Sequence, residues 1–262
     1  MNALEITTNI GCFNCDYCPQ DKLLAAYKSK DKKLTIDEFR ICLDKLTKNI
    51  RIHFSGFSEP FFNSEAVDMI EYAFKKGHPI IIYTTTIGLT LKKIKQLKKY
   101  KFEKFVVHCP DEHTKFNINT WFKNIKYLEK EGIDFELLFV GERSLNIKMF
   151  KYICEHFQNK IISQDLITRA GKVSWIKKLK IKKGKIKCFE NRFLQNILLP
   201  NGDVYLCCMD YGLEYKLGNL FLSKNFKELQ NSEIYNKIRE GFMENKIRNI
   251  PNICKRCERA IL

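Results

Sequence analysis

Gly11 to Pro19 reads GCFNCDYCP, with Cys12, Cys15 and Cys18 at three-residue steps directly after a strand-like run, Leu4 to Ile10. Four thiolates would close a tetrahedral zinc site or saturate an iron–sulfur cluster, whereas three in one short loop leave one metal position open to another ligand. A loop leaving the end of a strand is also where α/β folds carry their chemistry.

Beyond that loop, apolar strand-like runs alternate with helix-length amphipathic stretches. Strands are expected over Ile50 to Phe54, Pro79 to Thr84, Phe105 to His108, Phe135 to Val140 and Ile161 to Thr168. Helices are expected over Thr35 to Lys48, where Thr35 and Glu38 make a capping box, and over Glu65 to Lys76, closed by Gly77. Further helices fit Leu91 to Lys99, Ile118 to Glu131 and Ile147 to Phe157. Six strand–helix units in series predict an α/β fold with a parallel sheet, open or curled into a partial (β/α)6 barrel. The segments SGFSEP (Ser55 to Pro60), TTTIG (Thr84 to Gly88) and HCPDE (His108 to Glu112) follow successive strands, so they share one rim with the cysteine loop.

After Gly171 the pattern changes. Eight lysines crowd Lys172 to Lys187, then Cys188 precedes NILLPNGDVYLCC, where Asn201-Gly202 signals a two-residue turn between alternating strands. A helix over Ser232 to Asn245 leads to the closing ICKRCERAIL. This divides the chain into residues 1–171 and a smaller α+β domain, 172–262.

Composition narrows the class. With 45% hydrophobic residues the chain folds as a globule, and no apolar run approaches the ~20 residues that span a bilayer. The start, MNALEITTNIG, lacks the plan of a signal peptide, so a cytoplasmic protein without membrane contact is expected. Eleven cysteines, most in tight groups, suit metal ligation in a reducing compartment better than a disulfide framework. The net charge of +16 is dispersed; only the lysine run concentrates it, as a solvated linker face or as an attractor of a phosphate-bearing substrate, an acidic redox protein or nucleic acid.

These motifs together resemble the radical S-adenosylmethionine (SAM) superfamily. CFNCDYC is similar to its iron–sulfur loop, one residue shorter in the first gap than the family's C-x3-C-x2-C, and SGFSEP looks like its Gly-Gly-Glu segment. The carboxyl-terminal part resembles the twitch or SPASM auxiliary-cluster domain: Cys188, Gly202 and Cys207 fit C-x9–15-G-x4-C, and Cys254 with Cys257 supplies the closing pair. The nearest overall plan is that of an aminocyclitol dehydrogenase of that superfamily.

The resemblance implies a 4Fe-4S cluster on Cys12, Cys15 and Cys18 that binds SAM, and an auxiliary 4Fe-4S cluster on Cys188, Cys207, Cys254 and Cys257. An electron from a flavodoxin or ferredoxin-type donor would cleave SAM, and the 5′-deoxyadenosyl radical would take hydrogen from a small polar substrate, a sugar or nucleotide-linked sugar. It places Tyr17 near adenine, and the carbonyls of Gly56 and Phe57 and the carboxylate of Glu59 at the methionyl ammonium. Thr84, Thr85 and Thr86 fall where the family binds ribose or carboxylate, and Arg169 falls near SAM and substrate. A closed auxiliary cluster points to dehydrogenation; epimerisation would need a thiol donor, for which Cys42, Cys109, Cys154 and Cys208 are unassigned. Cys109, His108 and Asp210 are the further catalytic candidates, with Asp111 beside them. Peptide modification is the alternative within the class. A zinc-containing nucleic-acid-binding protein is the alternative outside it, and it gives SGFSEP and TTTIG no purpose.

Overall fold

A computed structural model describes residues 2–13, 15–111, 115–141, 147–176 and 180–261. The strands of the first part are β1 (Ala3–Ile6), β2 (Arg51–Phe54), β3 (Ile80–Thr84), β4 (Lys104–His108), β5 (Glu136–Val140) and β6 (Ile161–Gln164). They lie side by side in chain order, all parallel. Helices α1 (Gln20–Ala26), α2 (Ile36–Leu43), α3 (Ala66–Lys75), α4 (Leu91–Leu97), α5 (Ile118–Lys130) and α6 (Ile147–Phe157) occupy the crossovers. A parallel sheet buried on both faces needs near-continuous apolar strands, which is why these segments read as Val, Ile and Phe runs.

The two faces differ in chemistry. Leu4, Ile6, Ile52, Phe54, Ile80, Ile82, Phe105, Val107, Leu137 and Phe139 point into the main core, with Phe39, Met69, Ile94 and Trp121 from the helices. Each such fully buried side chain contributes about 1.5–3 kcal/mol. The registered pairs Glu5↔His53, Tyr83↔Val106 and His108↔Leu138 fall on the other face, the inside of the curled sheet.

The second part does not stand apart. Its strands are β7 (Lys187–Cys188), β8 (Gln195–Leu198), β9 (Asp203–Tyr205), β10 (Lys216–Asn219) and β11 (Ala260–Ile261), and its helices α7 (Phe226–Gln230), α8 (Glu233–Met243) and α9 (Asn252–Lys255). Strand β8 pairs parallel with β1, Ala3↔Gln195 through Ile6↔Leu198, so among the described residues nine strands form one sheet, β10-β9-β8-β1-β2-β3-β4-β5-β6. This covers the edge that β1 would otherwise expose. Strands β7 and β11 make a separate antiparallel pair. The architecture is thus the α/β partial barrel expected, with a small carboxyl-terminal part of antiparallel strands and helices grown onto its first strand.

Several local expectations are refined. The Thr35–Glu38 capping box is present, but its helix stops at Leu43. Strand β1 ends at Ile6 because Thr7, Thr8 and Asn9 turn their polar groups to neighbouring segments; Thr8 Oγ1, for example, donates to the Pro60 carbonyl at 2.9 Å. The β8–β9 turn is a longer one than Asn201-Gly202 alone predicts. Gly202 N–H bonds to the Leu199 carbonyl and Leu199 N–H to the Asp203 carbonyl, each at 2.9 Å, with Pro200 inside the turn and Gly202 at φ +79°. Helix α1 carries no amphipathic signal long enough to be read from sequence; it starts behind Pro19 and runs only 7 residues.

Candidate active site: two cysteine centres around a buried chamber

The first cysteine loop leaves β1 at the carboxyl-terminal rim. A turn from Cys18 N–H to the Cys15 carbonyl (2.9 Å) folds it back, and Gln20 Nε2 donates to both Cys18 Sγ (3.4 Å) and the Phe57 carbonyl (2.7 Å). Tyr211 reaches across from the second part to within 3.4 Å of Cys18 Sγ. Trp175 Nε1 caps the loop from outside by donating to the Asp16 carbonyl at 2.9 Å. Burial pushes the Cys12 thiol up to about 12 and Cys15 to about 11, and Cys18 adds to both shifts as a neighbour. Desolvated thiols grouped in this way suit a cationic metal centre, which would reverse the shift and hold them as thiolates.

The adjoining rim is tightly braced. Gly56 adopts φ +59°, and a Cβ there would meet Thr7 Oγ1 at 2.3 Å, so the turn requires glycine. Phe57 packs on Tyr211 with ring centroids 4.5 Å apart. Glu59 is 2% exposed and accepts four hydrogen bonds: Thr84 Oγ1 (2.6 Å), Thr85 N–H (2.6 Å), Thr85 Oγ1 (2.7 Å) and Phe61 N–H (3.2 Å). Those bonds fill the acceptor capacity of one carboxylate. Glu59, Thr84 and Thr85 therefore tie the ends of β2 and β3 to each other. Thr86, at φ +68°, presents its carbonyl to Asn124 Nδ2 at 2.7 Å.

Inside the barrel lies a polar chamber that sequence reasoning located only in part. Arg169 sits half-buried in it; desolvation works against its charge, yet Tyr211, Cys208, Cys18 and Tyr17 around it hold its pKa above the ordinary value. His108 turns inward against Tyr83, ring centroids 6.3 Å apart, and burial with Arg169 nearby lowers it to about 4. Glu5, accepting from Ser55 Oγ at 3.1 Å, has its pKa raised by burial while Arg192 and Arg169 partly counter it. His53 is 9% exposed, its Nε2 has no hydrogen-bond partner among the described residues, and burial plus Arg51 and Arg192 lower it to about 4. Cys208, pushed up to about 12 by burial and Glu5, faces Arg169 and Arg192. Glu5, His53, Tyr83, Arg192 and Cys208 were not singled out as chamber residues from sequence. The available signal was a charged or imidazole residue inside an otherwise apolar central strand.

Cys109 falls on the opposite side of β4, 2% exposed within the main apolar core, and Cys42 shares that core. Asp111 lies near Cys15 and Tyr17, whose pKa values it raises. Glu112 is outside the described residues.

Below the chamber, Cys188, Cys207, Cys254 and Cys257 line one small cavity together with Arg192, Cys208 and Arg259. Among the described residues no three His, Cys, Asp or Glu side chains close on a single-ion position. The four thiols stand round a common space, the arrangement a multi-iron cluster takes, with each thiolate on its own iron. Burial raises all four, Cys207 and Cys254 furthest. Among the described residues, Arg259 Nε is buried at this cavity without a hydrogen-bond partner, the kind of donor a cluster sulfide would accept from. Asp210 serves the loop beside it, accepting from Glu214 N–H (2.9 Å) and Tyr215 N–H (2.8 Å); burial raises it to about 6. Part of the lysine run is also structural: Lys182 donates from its backbone N–H to the Lys255 carbonyl (2.8 Å) and from Nζ to the Cys257 carbonyl (2.6 Å). Lys177 and Lys178 lie outside the described residues.

Residues 188–258 match the SPASM family, an iron–sulfur cluster-binding domain. No curated protein matches the chain in sequence. Among solved structures, BtrN in complex with AdoMet and 2-DOIA is 18% identical at a TM-score of 0.65, covering 98% of this chain and 93% of BtrN. Native anSMEcpe with bound AdoMet is 14% identical at 0.63, over 90% of this chain and 82% of its own. Streptococcus suis SuiB bound to precursor peptide SuiA is 14% identical at 0.68, over 98% and 70%. The shared feature is the fold, barrel and carboxyl-terminal part together. The chain shares the fold of these three proteins, two of them solved with AdoMet bound, and its residues 188–258 match a SPASM iron–sulfur cluster-binding domain.

Proposed function

We propose that this protein is a radical SAM enzyme acting on a small polar substrate held in the chamber between its two cysteine centres. The observation that carries the reading is the position of Arg169, whose half-buried guanidinium is influenced both by Cys18 of the rim loop and by Cys208 of the auxiliary cavity. One side chain thus borders both centres. With cluster and SAM bound, the chemistry supplied is a 5′-deoxyadenosyl radical that removes a hydrogen atom from the substrate.

The chain's own residues then bind, orient and exclude water. Cys12, Cys15 and Cys18 hold the SAM-binding cluster, and Cys188, Cys207, Cys254 and Cys257 the auxiliary one. Tyr17 flanks the adenine side, and the carbonyls of Gly56 and Phe57 receive the methionyl ammonium, Phe57 with its second lone pair because Gln20 takes the first. Glu59, Thr84 and Thr85 keep that rim rigid rather than donating to it, and Thr86 lies beyond them. Arg169 suits a carboxylate through paired hydrogen bonds.

A small polyhydroxylated substrate fits the chamber better than a peptide does. Glu5 and His53 are 7% and 9% exposed, deep within the barrel. His53 and His108, both lowered to about 4, are neutral at pH 7, so each imidazole offers one donor and one acceptor to hydroxyl groups. His53 Nε2 is the atom we assign to hold a substrate hydroxyl proton. The fourfold thiol set of the auxiliary cavity would hold a closed cluster, which would supply an electron acceptor, and that favours net oxidation over epimerisation. Cys208 is then the thiol whose removal separates the two. Electrons come from a flavodoxin or ferredoxin-type donor in a reducing, cytoplasmic setting.

The test is deuterium transfer. Incubated with SAM, reductant and a panel of C-deuterated sugars, aminocyclitols and nucleotide sugars, reconstituted enzyme should place deuterium in 5′-deoxyadenosine with one of them. Transfer from a peptide panel alone would overturn the small-substrate reading.

A further inference from the structure

Arg169 sits on an unusual piece of backbone. Arg169 (φ +50°), Ala170 (φ +57°) and Gly171 (φ +82°) are consecutive left-handed residues, and only the last is glycine. Non-glycine residues persist in that region only where their surroundings over-determine them. The segment's own bonds, Gly171 N–H to Thr168 Oγ1 at 2.8 Å and Val173 N–H to the Thr168 carbonyl at 2.8 Å, close the turn after Arg169. The flanking amides are held from elsewhere. The carboxylate of Glu258 accepts from Thr168 N–H and from Ala170 N–H, the latter at 3.3 Å, across some ninety residues of chain.

Glu258 directly follows Cys257. Its loop is fixed by the turn from Cys257 N–H to the Cys254 carbonyl (3.2 Å) and by the pairing of Ala260 with Cys188. The residue that clamps the Arg169 turn is therefore welded to three of the four auxiliary thiols.

We propose that Glu258 is a positioning residue that couples assembly of the auxiliary centre to the placement of Arg169 in the SAM and substrate chamber. An ordered Cys254–Cys257 loop presents the carboxylate, the carboxylate holds the left-handed turn, and the turn aims the guanidinium. When the loop is loose, the turn relaxes to ordinary backbone angles and Arg169 leaves its place. The clamp itself stands on hydrogen bonds; its consequence for SAM rests on the function proposed above.

Two readouts on the full-length, anaerobically reconstituted protein separate these levels. Hydrogen exchange at the amides of residues 168–171 should accelerate at least tenfold in Glu258→Ala and equally in Cys254→Ala/Cys257→Ala, while Glu258→Gln, which keeps one acceptor oxygen, stays within about threefold of wild type. SAM affinity, read from the perturbation of the first cluster's EPR signal, should weaken at least tenfold in Glu258→Ala at unchanged iron content. It should weaken no further when Arg169→Ala is added. Unchanged exchange in both Glu258→Ala and the double-cysteine variant would overturn the clamp. Accelerated exchange with unchanged SAM affinity, or additive losses, would overturn the coupling. A wild-type protein whose EPR signal ignores SAM would instead sink the proposed function and leave the exchange result to decide the clamp.

Discussion

The two cysteine centres differ in how they are built, and the difference suggests a division of labour. The first is a single loop of nearby residues at an open rim, three thiols held mainly by local turns and by Gln20. The second draws its thiols from three distant stretches and encloses them in a cavity with two arginines. A local, three-legged loop leaves room for an exchanging ligand, whereas a closed set assembled by tertiary structure suits a cluster that never exchanges. On the proposed function, one centre is the workplace and the other part of the frame.

The sharpest way to break that comparison is to remove one centre at a time. Replacing Cys12, Cys15 and Cys18 by alanine should reduce SAM cleavage to background while about half the iron remains. Removing the auxiliary cysteines should leave SAM cleavage measurable and abolish substrate turnover, with iron again halved; product and iron analysis on both variants decide it. If the auxiliary variant turned substrate over normally, the division of labour would be wrong. Next in size, Glu59→Ala strips a fully used buried carboxylate from Thr84 and Thr85, and should cost about 2–4 kcal/mol in denaturant unfolding. Arg169→Ala should cost roughly ten- to hundredfold in kcat/KM with both clusters loaded, because one half-buried charged hydrogen-bonding group is lost.

The chamber between the centres carries a pH signature. His53 falls from an ordinary 6.5 to about 4 in the folded protein, so between those values the unfolded chain binds more protons than the native one. Stability from this group is fully present above pH 6.5 and is lost as pH falls toward 4, with a slope of about 1 kcal/mol per pH unit. His53→Gln should flatten the decline measured by urea unfolding at pH 7, 6 and 5. A smaller effect belongs to neither centre: Thr35→Ala removes the cap of α2 and should cost ~1 kcal/mol without touching SAM cleavage.

What sequence could show follows the same line between local and assembled structure. The parallel strands, the Thr35 cap and the rim loops are written in contiguous residues, and all can be read from period and punctuation. The pairing of β8 with β1 cannot, because nothing in NILL states which edge it will cover. The chamber was half visible for the same reason. His108 ends β4 and Arg169 directly follows the strand predicted to end at Thr168, whereas Glu5, His53 and Arg192 meet only through the register of distant segments. A charged Glu5 in ALEI and an imidazole in RIHF were the readable hints, polar residues at inward positions of strands otherwise buried. Cys109 misled in the opposite direction: neighbours on a strand face opposite sides, so the residue beside inward His108 goes to the core.

The central claim is that the short C-x2-C-x2-C loop carries a cluster that binds and cleaves SAM. Its most direct test is anaerobic reconstitution followed by metal quantitation and by 5′-deoxyadenosine measurement under strong reductant. The account predicts about eight irons per chain, from two four-iron clusters, and 5′-deoxyadenosine formation that disappears with Cys12→Ala. Zinc in place of iron, or fully loaded clusters that leave SAM intact, would contradict it.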